Sequence, residues 1–125
     1  MTSPAVYAAV AFGGAAGAFL RFAAGEAASA LRLTGFPAAT LAVNITGSFL
    51  LGVSAALFAG AAHPVLSAGI MKGLCGALTT FSTFSMDTVR LFGQGRAAAA
   101  AANALLNLFA CFAAAHAGLM LAGGC

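Results

Sequence analysis

The sequence predicts an all-α integral membrane protein of four transmembrane helices, and three observations carry that reading. The chain is 125 residues long, 62% hydrophobic and 6% charged, so its charges are too few to coat a soluble domain of this size. Long windows hold no charge at all: residues 5–20, 33–71, 73–86 and 97–125. Each of the three prolines, Pro4, Pro37 and Pro64, opens an apolar run, and proline suits the first turn of a helix, where its missing N–H is not needed. A helix needs roughly 20 apolar residues to cross a hydrocarbon core of about 30 Å. The windows therefore divide into spans at about 4–24, 37–61, 65–91 and 97–122, forming a single transmembrane domain over residues 1–125.

The first span starts at Pro4 without a basic segment before it, which is expected of a retained helix and not of a cleaved signal peptide. Gly13 and Gly17 form a small-xxx-small pair that lets another helix come close. Arg21 ends the charge-free run, either as an interfacial anchor or as part of an anion-attracting vestibule. Glu26 is expected in an exposed loop, and so is His63.

The second span carries Thr40, Asn44 and Ser48 at i, i+4, i+8, one face of a helix. The third is unusual. Its charge-free part, residues 73–86, is about 21 Å of helix, shorter than the bilayer core. Lys72 and Asp87 must lie near or inside the membrane, or the helix must break. Gly69 and Gly73 form a second small pair, and Gly76 followed by β-branched Thr79 and Thr80 permits a break. The same stretch holds five hydroxyls (Thr79, Thr80, Ser82, Thr83, Ser85) around two rings, Phe81 and Phe84. Unpaired polar groups are costly at membrane depth, so these hydroxyls must bond internally or face something that accepts donors. The motif FGQGR, residues 92–96, separates the third span from the fourth. The fourth opens on six alanines, a helix-favouring run, and carries a second row, Asn103, Asn107 and Cys111.

Alternating spans put Arg21, Thr40, Asp87 and Asn103 on one side, with Asn44 and Asn107 one turn deeper. One asparagine would only join helices; two parallel rows and a hydroxyl cluster predict a lined path. Amides and hydroxyls donate hydrogen bonds, and the edge of a phenylalanine ring is electropositive. Together they suit a small anion that must give up its water, with no deep lysine to trap it. The cysteines, Cys75, Cys111 and Cys125, form neither a disulfide framework nor a metal pattern, and Cys125 at the last position is no prenylation box. No catalytic constellation is present, so no enzyme is expected. The net charge of +3 is scattered singly at span ends, which reads as interfacial anchoring and not as nucleic-acid binding. His116, with no carboxylate near it in sequence, is expected to be buried and hydrogen-bonded or interfacial.

Three stretches, GGAAGAFLR (13–21), TLAVNITGSFLLG (40–52) and GLCGALTTFSTFSMD (73–87), resemble the signatures of the Fluc-type fluoride channels, also called CrcB proteins. The resemblance covers all four spans, and its most specific element is TTFSTF, residues 79–84. It implies an antiparallel, dual-topology homodimer in the plasma membrane, surrounded by lipid, through which fluoride leaves the cell passively. It implies that Phe81 and Phe84 meet fluoride with their ring edges, and that Asn44, Ser82 and Thr83 are pore or helix-break groups. Thr40 and Asn107 join them as pore candidates from the polar rows. The backbone carbonyls of Gly76 and Thr79 would hold a structural sodium ion, for which oxygen ligands are suited. Arg21 and Asp87 would form the vestibule. Asp87 stands where the family usually has a glutamate, and Asn103, Asn107 and Cys111 stand where an aromatic hydroxyl and serines are common. The alternative is a small multidrug-type proton-coupled exporter. It needs a carboxylate inside its first span, whereas Glu26 lies beyond Arg21 and the chain has no tryptophan. A holin-like protein would not need aligned polar rows. The arginines fall on one side and Lys72 on the other, a modest bias that permits both orientations.

Overall fold

A computed structural model describes residues 3–60 and 63–123. Cys125 and the predicted end of the second span at residue 61 lie outside the described residues. The secondary structure described is helical: α1 Pro4–Ala30, α2 Ala38–Leu57, α3 (residues 64–78), α4 Phe81–Gly93 and α5 Ala97–Gly123. α3 and α4 are the two halves of one broken third span, so four helical stretches are long and apolar enough to cross a membrane. Pro4 and Pro64 stand at the first turns of α1 and α3, and Pro37 caps α2.

α1 runs past its expected end at residue 24 to Ala30. Glu26 is therefore an exposed residue of that helix and not of a loop. The residues after Arg21 are alanine-rich and contain no stop signal, so the helix continues on propensity beyond the apolar stretch. It stops with paired end-of-helix bonds, Leu33 N–H to the Ala28 carbonyl and Arg32 N–H to the Ser29 carbonyl, both 3.0 Å, with Arg32 in the left-handed region at φ 52°. The same closure ends α4. Arg96 N–H bonds the Leu91 carbonyl and Gly95 N–H the Phe92 carbonyl, and Gly95 takes φ 74° at no steric cost. FGQGR is thus the turn the sequence predicts.

Two crossings built from glycines hold the bundle. In α1, a Cβ on Gly13 would overlap the Gly69 carbonyl, and one on Gly17 would overlap the Leu74 carbonyl. Gly73 answers from α3, where a Cβ would come within 2.7 Å of the Val10 carbonyl. The two small-xxx-small pairs therefore face each other and bring two backbones into contact. A second crossing joins α2 to α5, where Gly52 packs on the Ala115 carbonyl and Gly118 on the Phe49 carbonyl. Ala68–Cys75 in α3 winds as a π-helix, a widened turn found at functional sites and not legible in the sequence. Lys72 sits on that segment, exposed.

Little of the chain is buried against itself. Val43, Cys75, Leu78, Leu91 and Ala100 are buried, whereas Phe12, Phe19, Phe22, Phe109 and Phe112 are exposed. In a soluble protein such a surface would be an aggregation liability; in a bilayer it is the lipid-facing coat. His116 lies exposed on α5, so it is not the buried histidine that was one of two expectations.

Candidate ion pathway

The break falls between α3 and α4, three residues beyond Gly76. Thr79 (ψ 153°) and Thr80 (φ −148°, ψ 117°) are extended, while Gly76 is helical. Extended backbone at membrane depth must find new partners. Asn44 of α2 supplies them. Its Oδ1 accepts from Thr80 N–H at 2.8 Å, and its Nδ2 lies 3.3 Å from the Thr80 carbonyl. Thr80 then caps α4, its Oγ1 accepting from Thr83 N–H at 3.2 Å.

The hydroxyl cluster is accounted for within the chain. Thr79 Oγ1 donates to the Cys75 carbonyl at 3.0 Å and Ser85 Oγ to the Phe81 carbonyl at 2.9 Å, each one turn back. Thr80 Oγ1 lies 3.3 Å from Ser82 Oγ and donates to Thr83 Oγ1 at 3.0 Å. Thr80, which the sequence reading left out of the site, is the centre of the cluster. The signal was available: threonine is a preferred N-cap residue, and Thr80 directly precedes the α4 run.

These bonds have a consequence for two carbonyls. In a continuous helix Thr80 N–H would go to the Gly76 carbonyl, and Thr83 N–H to the Thr79 carbonyl. Asn44 takes the first donor and Thr80 Oγ1 the second. The two carbonyls that the resemblance assigned to a cation are therefore those whose helical donors are diverted to side chains, and a hard cation fits them. Arg21 Nη1 donates to the Thr79 carbonyl at 3.4 Å, so the guanidinium serves the break. Gly76 itself has room. A Cβ there would meet only the Met71 carbonyl, at 3.9 Å, so no close crossing within the chain demands glycine.

The two polar rows meet. Asn44 Nδ2 donates to Asn107 Oδ1 at 2.8 Å, and Asn107 Nδ2 donates back one turn to Asn103 Oδ1 at 3.1 Å. Asn103 Nδ2 donates to Thr88 Oγ1 at 2.9 Å. Asn103 is 0% exposed, and there the expected lining is closed, since the amide joins α5 to α4. Thr88 was not singled out in the sequence. Lower in the row, Asn44, Ser48, Asn107 and Cys111 line a cavity of about 430 Å³ that Phe81 and Phe84 also border. No charged residue lines it. The two rings stand 5.6 Å apart, tilted by 51°. Phe81 is 80% exposed, an aromatic ring with little covering it inside its own chain.

On the side of Arg21, Thr40 Oγ1 donates to Asp87 Oδ2 at 2.8 Å. The aspartate, shorter than a glutamate, still reaches Thr40. Arg21, Thr40 and Thr83 line a second cavity of about 350 Å³. The model of the family described as "CrcB-like protein, Camphor Resistance (CrcB)" matches residues 8–119. The chain belongs to the CrcB family. Members similar to it include the "Fluoride-specific ion channel FluC" of Shewanella amazonensis, 48% identical over 114 residues, covering 90% of this chain and 91% of that protein. The protein of the same name from Sulfurovum is 42% identical over 118 residues, covering 94% of each. That of Pseudoalteromonas translucida is 46% identical over 114 residues, covering 90% and 95%. These relatives are named as ion channels and not as enzymes, and the chain is a multi-pass membrane protein.

Proposed function

We propose that the protein is a fluoride-selective passive channel of the plasma membrane that lowers cytoplasmic fluoride. The observation that carries this is the Phe81–Phe84 pair bordering an uncharged cavity whose polar walls are the amides and hydroxyl of Asn44, Asn107 and Ser48. Ring edges and the Ser48 hydroxyl can replace the water of a small anion beside amides whose own hydrogens are held within the chain, and the lack of a fixed cation lets the ion leave. The names of the relatives agree with this reading. The test is anion flux from liposomes containing the purified protein. Fluoride should leave and chloride stay; equal flux of both would sink selectivity.

The working unit in this reading is an antiparallel homodimer. The exposed Phe81 ring and the uncovered Gly76 support it, since both await a partner surface. The mixed charge bias supports dual insertion. Impermeant thiol reagents should then label a Gln94→Cys variant, freed of native cysteines, from both faces of the membrane. Labelling from one face alone contradicts it.

A sodium ion held by the carbonyls of Gly76 and Thr79 completes the proposal. Asn44 and Thr80 divert the helical donors of those carbonyls, the ion would take the place of the 3.4 Å contact from Arg21 to the Thr79 carbonyl, and Thr79→Ser should keep the site because it alters no carbonyl. Prolonged replacement of sodium by a bulky organic cation should lower the dimer fraction and silence flux, with recovery on adding sodium. A dimer and a flux indifferent to sodium would remove the ion from the mechanism. Gly76→Val, which meets no obstacle inside one chain, should unfold nothing in the monomer and act only where chains meet.

A further inference from the structure

The vestibule is deeper than Arg21 and Asp87 make it. A third cavity, about 320 Å³, lies between the 31–37 turn and the end of α4. It shares Gly25, Ala39, Thr40 and Thr83 with the Arg21 cavity, so the two are adjacent. Its outer wall carries Arg90, Gln94 and Arg96. Arg96 Nη1 donates to the Gly35 carbonyl and ties the two turns that frame the opening. Arg90 is exposed, and its guanidinium makes no hydrogen bond or ion pair with another described residue. Asp87 is the one carboxylate in the lining of either chamber, and it accepts from Thr40. Three guanidiniums against one carboxylate leave the two chambers net positive. A concave site lined by one sign of charge raises the local concentration of the opposite ion.

We propose that this outer chamber is an anion-collecting site in which Arg90 sets the local concentration of small anions ahead of Arg21, with Arg96 fixing the chamber's shape. The inference rests on the channel reading for its purpose, but not for its test. Arg90 is the charge to remove, because nothing in the fold uses it. Arg96 is not, because losing it frees a turn.

The test uses full-length Gln94→Cys protein, freed of native cysteines, in liposomes. The reaction rate of the new thiol with an anionic sulfonate-bearing thiol reagent is compared with that of a cationic ammonium-bearing one. The anionic reagent should be favoured. Arg90→Gln should cut that preference by about tenfold at low salt, because one unit charge some 6 Å away in water raises the anionic reagent's local concentration about threefold and lowers the cationic one's by as much. Arg90→Lys should keep it. The difference should fade near 1 M salt, where the Debye length is about 3 Å. A preference that ignores Arg90, or a difference that persists at high salt, overturns the proposal. The parallel readout is fluoride efflux of Arg90→Gln in the otherwise native chain, expected to drop about threefold at low salt and to recover at high salt. No efflux from the wild type would count against the channel reading while the labelling ratio still decides the chamber.

Discussion

Phe81→Ile and Phe84→Ile should each lower fluoride efflux by about tenfold or more while the protein still folds. Isoleucine keeps apolar volume but has no polarised ring edge. If a desolvated ion meeting a ring quadrupole is worth about 2 kcal/mol, its loss exceeds tenfold in rate. A packing explanation can be separated from this one. Phe81 is 80% exposed in its own chain, so truncating it removes little of that chain's core. Phe84 is partly buried and touches Phe81, so its variant carries some structural cost. The measurement is efflux from liposomes beside an elution profile that reports assembly. Wild-type efflux in both variants would return the rings to ordinary packing.

Asn44→Leu should be the most damaging single change to the fold. The leucine keeps the branching at Cγ but leaves Thr80 N–H without an acceptor and Asn107 Oδ1 without its donor. Each orphaned buried group costs about 1–3 kcal/mol, so the total is about 2–6 kcal/mol. Measured interhelical bonds in membranes are smaller, averaging about 0.6 kcal/mol, because the separated helices find other partners. Thr80 lacks that escape. Its N–H can recover a partner only by returning to the Gly76 carbonyl, which would close the break and withdraw that carbonyl from any cation. Asn44→Leu should therefore lower the thermal midpoint in detergent and abolish flux, and it should also remove the response to sodium. A variant as stable as the wild type would show that Asn44 does not hold the break.

How far the sequence foretold these features depends on what kind of information each needs. Spans follow from where charges are missing, and prolines mark the starts, so the bundle was legible within a few residues. The rows of Asn44 and Asn107 were legible as faces because i, i+4 spacing fixes which residues share a side. What faces them is a tertiary fact. Asn103 and Asn107 share one row, yet one is sealed against Thr88 and the other borders a cavity. The break was legible from hydroxyl density, but its position at Thr79 and Thr80 depends on Asn44, 36 residues away. Gly76 misled because glycine is needed either for backbone freedom or for closeness, and here the closeness falls to Gly13, Gly17, Gly69 and Gly73.

The π-helix of Ala68–Cys75 sets a constraint on chain length that residue identity does not express. Each helical residue advances the side-chain direction by about 100°, and a π turn accommodates one residue more than an α turn. Gly69 and Gly73 pin that segment to α1 upstream of Thr79 and Phe81. A one-residue deletion inside Ala68–Cys75, away from the pinned glycines, can be absorbed by relaxing the widened turn to an α turn, with the flanking turns kept near their register. A deletion at residues 76–78 meets no widened turn and would swing Phe81 and Phe84 about a quarter turn away from Asn44 and Asn107. The π segment is thus a reserve of one residue, and the short α-helical stretch after it has none.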